Sequence, residues 1–241
     1  MKLPRLDLPR YSDTLPVSGR TISFRPYTVK EEKILLMAAT SSNPSDKLQA
    51  VYQIVSNCSD LNVVTDHPAD IEWAFLQIRS CSVSSKVEVV YHIDKDECGA
   101  IDSTQTECPI DIKTAFDIGA VTVLNIEEME KYATKAKGGG WVVHLAGDVS
   151  LHVIIKPTKS VETAMYELVE AIVEGEDVTP KELFTNEEFN DFIDDLPANA
   201  TDNLKAFLKA SPVTSATINA RCHKCQKEFT YTVSGLLGFL V

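Results

Sequence analysis

Apolar positions along this chain change their period several times, and each change marks a change of element. Two short runs, Thr14 to Val17 and Thr21 to Phe24, flank Ser18-Gly19-Arg20 and predict a β-hairpin whose tight turn uses the positive φ open to Gly19. Pro26 stiffens the exit, and Thr28-Val29-Lys30-Glu31 fits a capping box, so a helix is expected from Val29. Its Ile34, Leu35, Leu36, Met37 and Ala38 are apolar on most sides, which calls for enclosure by the rest of the chain or by a partner. Ser45 is placed to cap a second helix, with Leu48, Val51, Tyr52 and Val55 on one face. His67-Pro68 opens a third, with Ile71, Phe75 and Ile78 as its stripe and Trp73 and Phe75 as core anchors.

From Lys86 the period falls to two. Val87, Val89, Tyr91 and Ile93 alternate with Glu88, Val90 and His92, which predicts a strand whose partner runs from about Thr106 to Lys113 across a loop holding Cys98-Gly99. Asn125 and Glu128 head an expected short helix through about Lys137, ended by Gly138-Gly139-Gly140. Those glycines are not a phosphate loop, because they precede a strand and no Gly-Lys-Ser/Thr follows. A second hairpin joins Trp141–Leu145 to Leu151–Lys156 through Gly147-Asp148. Residues 160–174 carry a helical stripe of Val161, Met165, Leu168 and Ile172. Thr179-Pro180-Lys181-Glu182 and Thr185-Asn186-Glu187-Glu188 are two more helix starts, backed by Phe189, Phe192, Ile193 and Leu196 and stopped by Pro197. A last helix spans about Asp202 to Lys209, with Leu204, Phe207 and Leu208 apolar.

The elements sum to an α+β protein in which helical segments flank antiparallel β-hairpins, closed by a ribbon-like C-terminal hairpin. Five segments follow: an arm and hairpin over 1–26, a helical segment over 27–82, a hairpin-rich segment over 83–158, a second helical segment over 159–212, and a CxxC hairpin with an apolar tail over 213–241. Residues 1–13, with Pro4, Pro9 and alternating Leu and Arg, are expected as an extended arm or a frayed terminus.

Composition narrows the function classes. At 241 residues, 44% apolar and 24% charged, the chain can bury a substantial core, and it has no apolar run approaching the roughly 20 residues of a membrane span. The opening MKLPRLDLPR lacks an apolar signal-peptide core, so synthesis in the cytoplasm is expected. A net charge of −12 and the lack of a dense Lys/Arg run argue against nucleic acid as a partner. The acidic residues Glu187, Glu188, Asp191, Asp194 and Asp195 fit a solvated helix face, or contact with a basic partner.

Six cysteines are too few for a disulfide scaffold of this length. Cys222-His223-Lys224-Cys225, between the strand-like runs Thr214–Ala220 and Glu228–Val233, has the form of a zinc-ribbon knuckle, whose tight turn aims two sulfurs at one ion. A structural zinc takes four ligands, and Cys98 and Cys108 are the internal candidates for the other pair. A structural zinc, an unmetallated relic of a ribbon and a redox pair stay open at this point. No HExxH, Walker loop, deaminase signature or Ser/His/Asp pattern occurs, so no catalytic or cofactor-binding residues are assigned; His92, His144 and His152 sit at strand positions.

The ordering Leu15-Pro16, Ser18-Gly19-Arg20-Thr21-Ile22, Phe24-Arg25-Pro26-Tyr27, then Val29-Lys30-Glu31-Glu32-Lys33-Ile34-Leu35-Leu36 resembles the opening of the small baseplate hub protein family of T-even-type bacteriophages. The likeness returns at Arg221–Gln226 and Gly235–Phe239, with Gln226 where that pattern usually has Gly and Phe239-Leu240 where it usually has two Phe. The resemblance implies a non-enzymatic structural or assembly component of a contractile-tail baseplate hub, located in the virion tail or in the host cytoplasm during assembly. It implies other tail and hub proteins as partners, the tape-measure protein among the candidates, with Leu236, Leu237, Phe239 and Leu240 as a docking tail. Self-packing of that tail is the competing expectation, and a zinc-ribbon adaptor of another complex is the competing function.

Overall fold

The computed structural model describes residues 7–93, 111–137, 139–158, 161–197, 199–223 and 226–239. In chain order the elements are β1 (Tyr11–Thr14), β2 (Thr21–Phe24), α1 (Val29–Ala39), α2 (Pro44–Cys58), α3 (Pro68–Ser82), β3 (Lys86–His92), β4 (Asp111–Asp117), β5 (Thr122–Leu124), β6 (Ala133–Lys135), β7 (Trp141–Ala146) and β8 (Val149–Val153). They continue with α4 (Val161–Glu167), β9 (Val169–Glu174), β10 (Asp177–Pro180), α5 (Asn186–Asp194), α6 (Asp202–Lys209), β11 (Val213–Arg221), β12 (Glu228–Ser234) and α7 (Gly235–Gly238). All pairings among the described strands are antiparallel, and the class is α+β. The chain divides into two compact units: one within Met1–Asn62, Ala69–Leu124 and Val213–Val241, the other within Val63–Pro68 and Asn125–Pro212.

In the first unit β1 and β2 pair from Tyr11↔Phe24 to Thr14↔Thr21. The first strand thus ends where it was expected to begin, and Tyr11–Asp13, expected in the arm, belong to it. The cause lies in the next four residues. Leu15 is buried, Pro16 has no N–H for a ladder, and the N–H groups of Val17 and Ser18 donate to the buried Asp70 carboxylate at 2.9 and 3.0 Å. Gly19 takes φ +68° at the return of this wider loop.

The second helix is capped by Asn43, not Ser45: Asn43 Oδ1 accepts from Ser45 N at 3.1 Å, and Pro44 fills the first helical position. Val51, Ile54 and Val55 of α2 and Ile71, Phe75, Leu76 and Ile78 of α3 are fully buried, as their spacing requires. Trp73 is half-buried and donates its indole N–H to Asp13 at 2.9 Å. In the same unit β3 and β4 run from Lys86↔Asp117 to His92↔Asp111, and β12-β11-β5 form a three-stranded sheet. The partner of β3 extends four residues past the expected Lys113, and the Thr106–Ile110 part of that expectation lies outside the described residues. Val87, Val89, Phe116, Ala216, Ile218 and Val233 share one core with Leu76 and Phe239.

The second unit is built on a five-stranded meander, β10-β9-β8-β7-β6. The hairpin turning at Gly147-Asp148 is as expected, with Gly147 at φ +58°. Val143, Leu151 and Val153 of the sheet meet Phe189 and Ile193 of α5 and Leu204 and Phe207 of α6. Fully burying a Phe contributes roughly 1.5–3 kcal/mol, so Phe189 and Phe207 are major terms here.

Two expected helices in this unit are not there. Asn125 has φ +66°, whereas an N-cap is extended, and Glu128–Lys131 makes only a 3₁₀ turn before β6. Gly139 and Gly140, at φ +96° and +77°, then reverse the chain so that Ala133–Lys135 pairs with Trp141–Val143. Further on, α4 ends at Glu167, because Val169–Glu174 is rich in β-branched residues and pairs with β8, Ile172 opposite Leu151. Pro180 closes the edge strand β10, where no ladder hydrogen bond is asked of it, and Lys181–Leu183 forms a 3₁₀ turn instead of the expected helix. The Thr185 start holds: Glu188 N donates to Thr185 Oγ1 at 3.2 Å, and Thr185 N to Glu188 Oε2 at 2.9 Å.

Candidate functional site

The residues that open α1 fix its position. Arg25 Nη2 donates to Glu31 Oε1 at 2.7 Å and Nη1 to Glu31 Oε2 at 3.2 Å, a forked pair. The same guanidinium donates to the carbonyls of Pro26 and Asn57, at 2.9 and 3.1 Å. Arg25 N donates to the carbonyl of Cys58 at 2.9 Å, and Tyr27 N to Ser82 Oγ at 2.9 Å. The segment before α1 is therefore tied to the C-terminal ends of both α2 and α3.

Glu31 is buried, and its carboxylate also accepts from Thr28 N at 2.6 Å and from Thr28 Oγ1 at 2.7 Å. The Arg25 pair, against the opposing cost of burial, holds its pKa down at about 2. Arg25 is pushed up by the same bond. Burial, then the Glu31 charge, pushes the neighbouring Cys58 thiol up to about 11, so it stays protonated and unreactive at neutral pH.

What this scaffold presents is apolar. Val29, Leu36 and Met37 of α1 are 67%, 62% and 74% exposed, while Ile34, Leu35 and Ala38 are half-buried. The helix was expected to be enclosed by the chain or by a partner, and among the described residues of its unit none covers this face. On one side lies a groove of about 360 Å³ whose lining includes Leu35, Leu36, Phe75, Val83 and Phe239. On the other, Ile34, Met37, Ala38 and Ala50 line one of about 300 Å³. Sequence reasoning identified the apolar helix and its cap. It missed the Arg25–Glu31 fork, for which the only signal was an Arg six positions before a buried acid.

The C-terminal tail lies elsewhere than on an open surface. Phe239 is 2% exposed and its ring sits 5.6 Å from that of Phe116, centroid to centroid. For Phe239 this burial agrees with the competing expectation of self-packing, an aromatic ring with this much area finding apolar surroundings in its own unit. The side chains of Leu236 and Leu237, and Leu240 altogether, lie outside the described residues.

At the knuckle, Cys222 N donates to Lys227 O at 3.0 Å and Gln226 N to Cys222 O at 2.9 Å, closing a tight turn between β11 and β12. Gln226 takes φ +61°, a conformation suited to Gly. Cys222 is buried with Ile93, Ile112, Ala220 and Phe229, so it sits against the residues from which the 94–110 segment departs and to which it returns. Cys225, Cys98 and Cys108 lie outside the described residues.

The remaining candidates are dispersed. His92 Nδ1 meets Asp111 Oδ1 at 2.9 Å on an exposed ladder end, and His152 Nε2 meets Gly139 O at 2.7 Å. His144 pairs with Ser150 and His152 with Val142, so the two histidines are offset along their hairpin and do not oppose each other. Among the described residues no cluster of three His, Cys, Asp or Glu side chains is placed to hold an ion, and no helix is long and apolar enough to cross a membrane. Glu187, Glu188, Asp191, Asp194 and Asp195 are all exposed on or beside α5, where Asp194 accepts from the Tyr166 hydroxyl at 2.5 Å.

Residues 8–241 match the sequence model of the family described as T4 bacteriophage base plate protein. No curated protein and no solved structure matches the chain.

Proposed function

The chain belongs to the T4 bacteriophage base plate protein family, and from that membership we propose that it is a non-enzymatic structural or assembly component of the central hub, acting through protein contacts with other hub and tail proteins. The observation that carries the reading is the use made of the residues that resemble the hub family. Arg25, Pro26, Thr28 and Glu31 lock α1 onto α2 and α3, and the locked helix turns Leu36 and Met37 outward. An apolar helix held rigidly and left open has already met its ordering cost before association, which favours docking. Its place is the virion tail, reached through assembly in the host cytoplasm. The tape-measure protein is a candidate partner alongside hub subunits.

Purification of tail intermediates tests this. The tagged chain is expected to travel with hub subunits and to be quantifiable, or demonstrably released, in finished particles. Travel with peripheral baseplate proteins alone would overturn the hub assignment.

Within this reading Cys222 and Cys225, with Cys98 and Cys108, are proposed to hold a structural zinc. Support comes from Cys222, buried at a ribbon turn against Ile93 and Ile112. The ion would fix the two hairpin ends to each other and add to folding stability. Protein purified without added metal is expected to contain about one equivalent of zinc, and Cys222→Ser and Cys225→Ser to lose it together with part of the melting temperature. Metal-free protein whose melt chelator leaves unchanged would support the relic reading instead.

A further inference from the structure

Resting on the assignment to baseplate assembly, we propose that the α1 face receives an acidic amphipathic helix from a different protein. The apolar part of the site is the exposed ridge Val29-Leu36-Met37 with a groove along each flank. The two grooves, one lined by Leu35 and Leu36 and the other by Ile34 and Met37, suit the bulky side chains of a helix laid alongside α1, at the i, i+3, i+4 spacing by which a helix presents one face. The charge around this ridge selects the partner. Lys30 and Lys33 on α1, with Lys47 and Arg79 at the groove of about 360 Å³, outnumber Glu32 and Asp46, and Glu31 is paired with Arg25. A chain of net charge −12 thus gathers a local excess of positive charge around its exposed apolar helix. Docking of two copies through this face would bring like charge onto like charge, whereas an apolar stripe bordered by Asp and Glu would meet both features at once.

The experiment places a photo-crosslinking benzoylphenylalanine at position 37 of the intact chain during phage infection, with position 178, an exposed valine of the second unit, as a control. Mass spectrometry then reads the captured peptide. The expected adduct is one peptide of another tail protein, with apolar residues at helical spacing and flanking acidic residues, absent at position 178. With that partner purified, Met37→Asp should weaken binding by about tenfold or more. Lys30→Glu with Lys33→Glu should weaken it and reduce its dependence on salt, with melting temperatures unchanged. An adduct between two copies, or a basic or irregular captured peptide, would overturn the proposal. So would tail complexes containing the chain but no adduct at position 37, and in that case the baseplate assignment itself would stand. A chain that enters no tail complex would remove both.

Discussion

Glu31 shows how one side chain serves several levels of the structure. It ends the orphan N–H of Thr28, neutralises Arg25 and is buried where α1 meets the ends of α2 and α3. Its folded pKa of about 2 lies below the unfolded value of 4.5. The stabilisation is therefore fully present above about pH 4.5 and is lost as pH falls toward 2. Glu31→Gln is expected to lower stability by about 2–3 kcal/mol at pH 7 in urea titrations, with the gap to the parent protein narrowing steadily in acid. A gap independent of pH would mean that packing, not charge, sets its role. Gln226 poses the opposite case. A side chain at φ +61° costs roughly 1–2 kcal/mol relative to a permitted conformation, offset in part by its exposed hydrogen bond to the His223 carbonyl at 2.9 Å. Gln226→Gly should accordingly raise the unfolding free energy measured in urea titrations, by up to about 1 kcal/mol.

At the scale of elements, the structure follows the sequence where a helix start and a consistent stripe agree. That is so for α1 from Val29, for α3 from Pro68 and for α5 from Thr185. It departs where a helical spacing coincided with β-branched residues. Leu168 and Ile172 fit a helical stripe, but Val169, Ile172 and Val173 gain more from the ladder to β8, a long-range gain that no local pattern displays. The glycines after β6 failed as a helix stop for a related reason: two positive φ angles make a hairpin return equally well. Gly140 is the stricter of them, since a Cβ there would stand 2.7 Å from the Val153 carbonyl oxygen. Gly140→Ala should cost about 1–3 kcal/mol in a thermal melt. The tail was ambiguous by nature, because an apolar run near a chain end has the same composition whether it packs inward or outward. With Phe239 against Phe116, Phe239→Ala should lose about 3–5 kcal/mol. A mutant as stable as the parent protein would return Phe239 to the list of docking candidates.

At the scale of the molecule, periodicity could name the elements but not say which distant ones share a core. Nothing in the local pattern at Leu124 or Val213 marks them as neighbours, yet β5 and β11 pair there, Leu124 opposite Val213. Nor could it show that α1 stays open on one side, since the apolar excess of Ile34–Ala38 is the same with or without a partner. The pairing of β5 with β11 has a bearing on synthesis. The second unit is contiguous from Asn125 to Pro212 apart from Val63–Pro68, whereas the first waits for β11, β12 and Phe239 before its sheet and core close. On the ribosome, α1 and the ends of α2 and α3 that hold it emerge early, but Leu76 of α3 meets Ala216, Ile218, Val233 and Phe239 only after the last strands have been translated. A polypeptide cut short before Val213 would leave Leu76 without Ala216, Ile218, Val233 and Phe239, so the proposed partner of α1 would meet the same apolar residues on a less stable support.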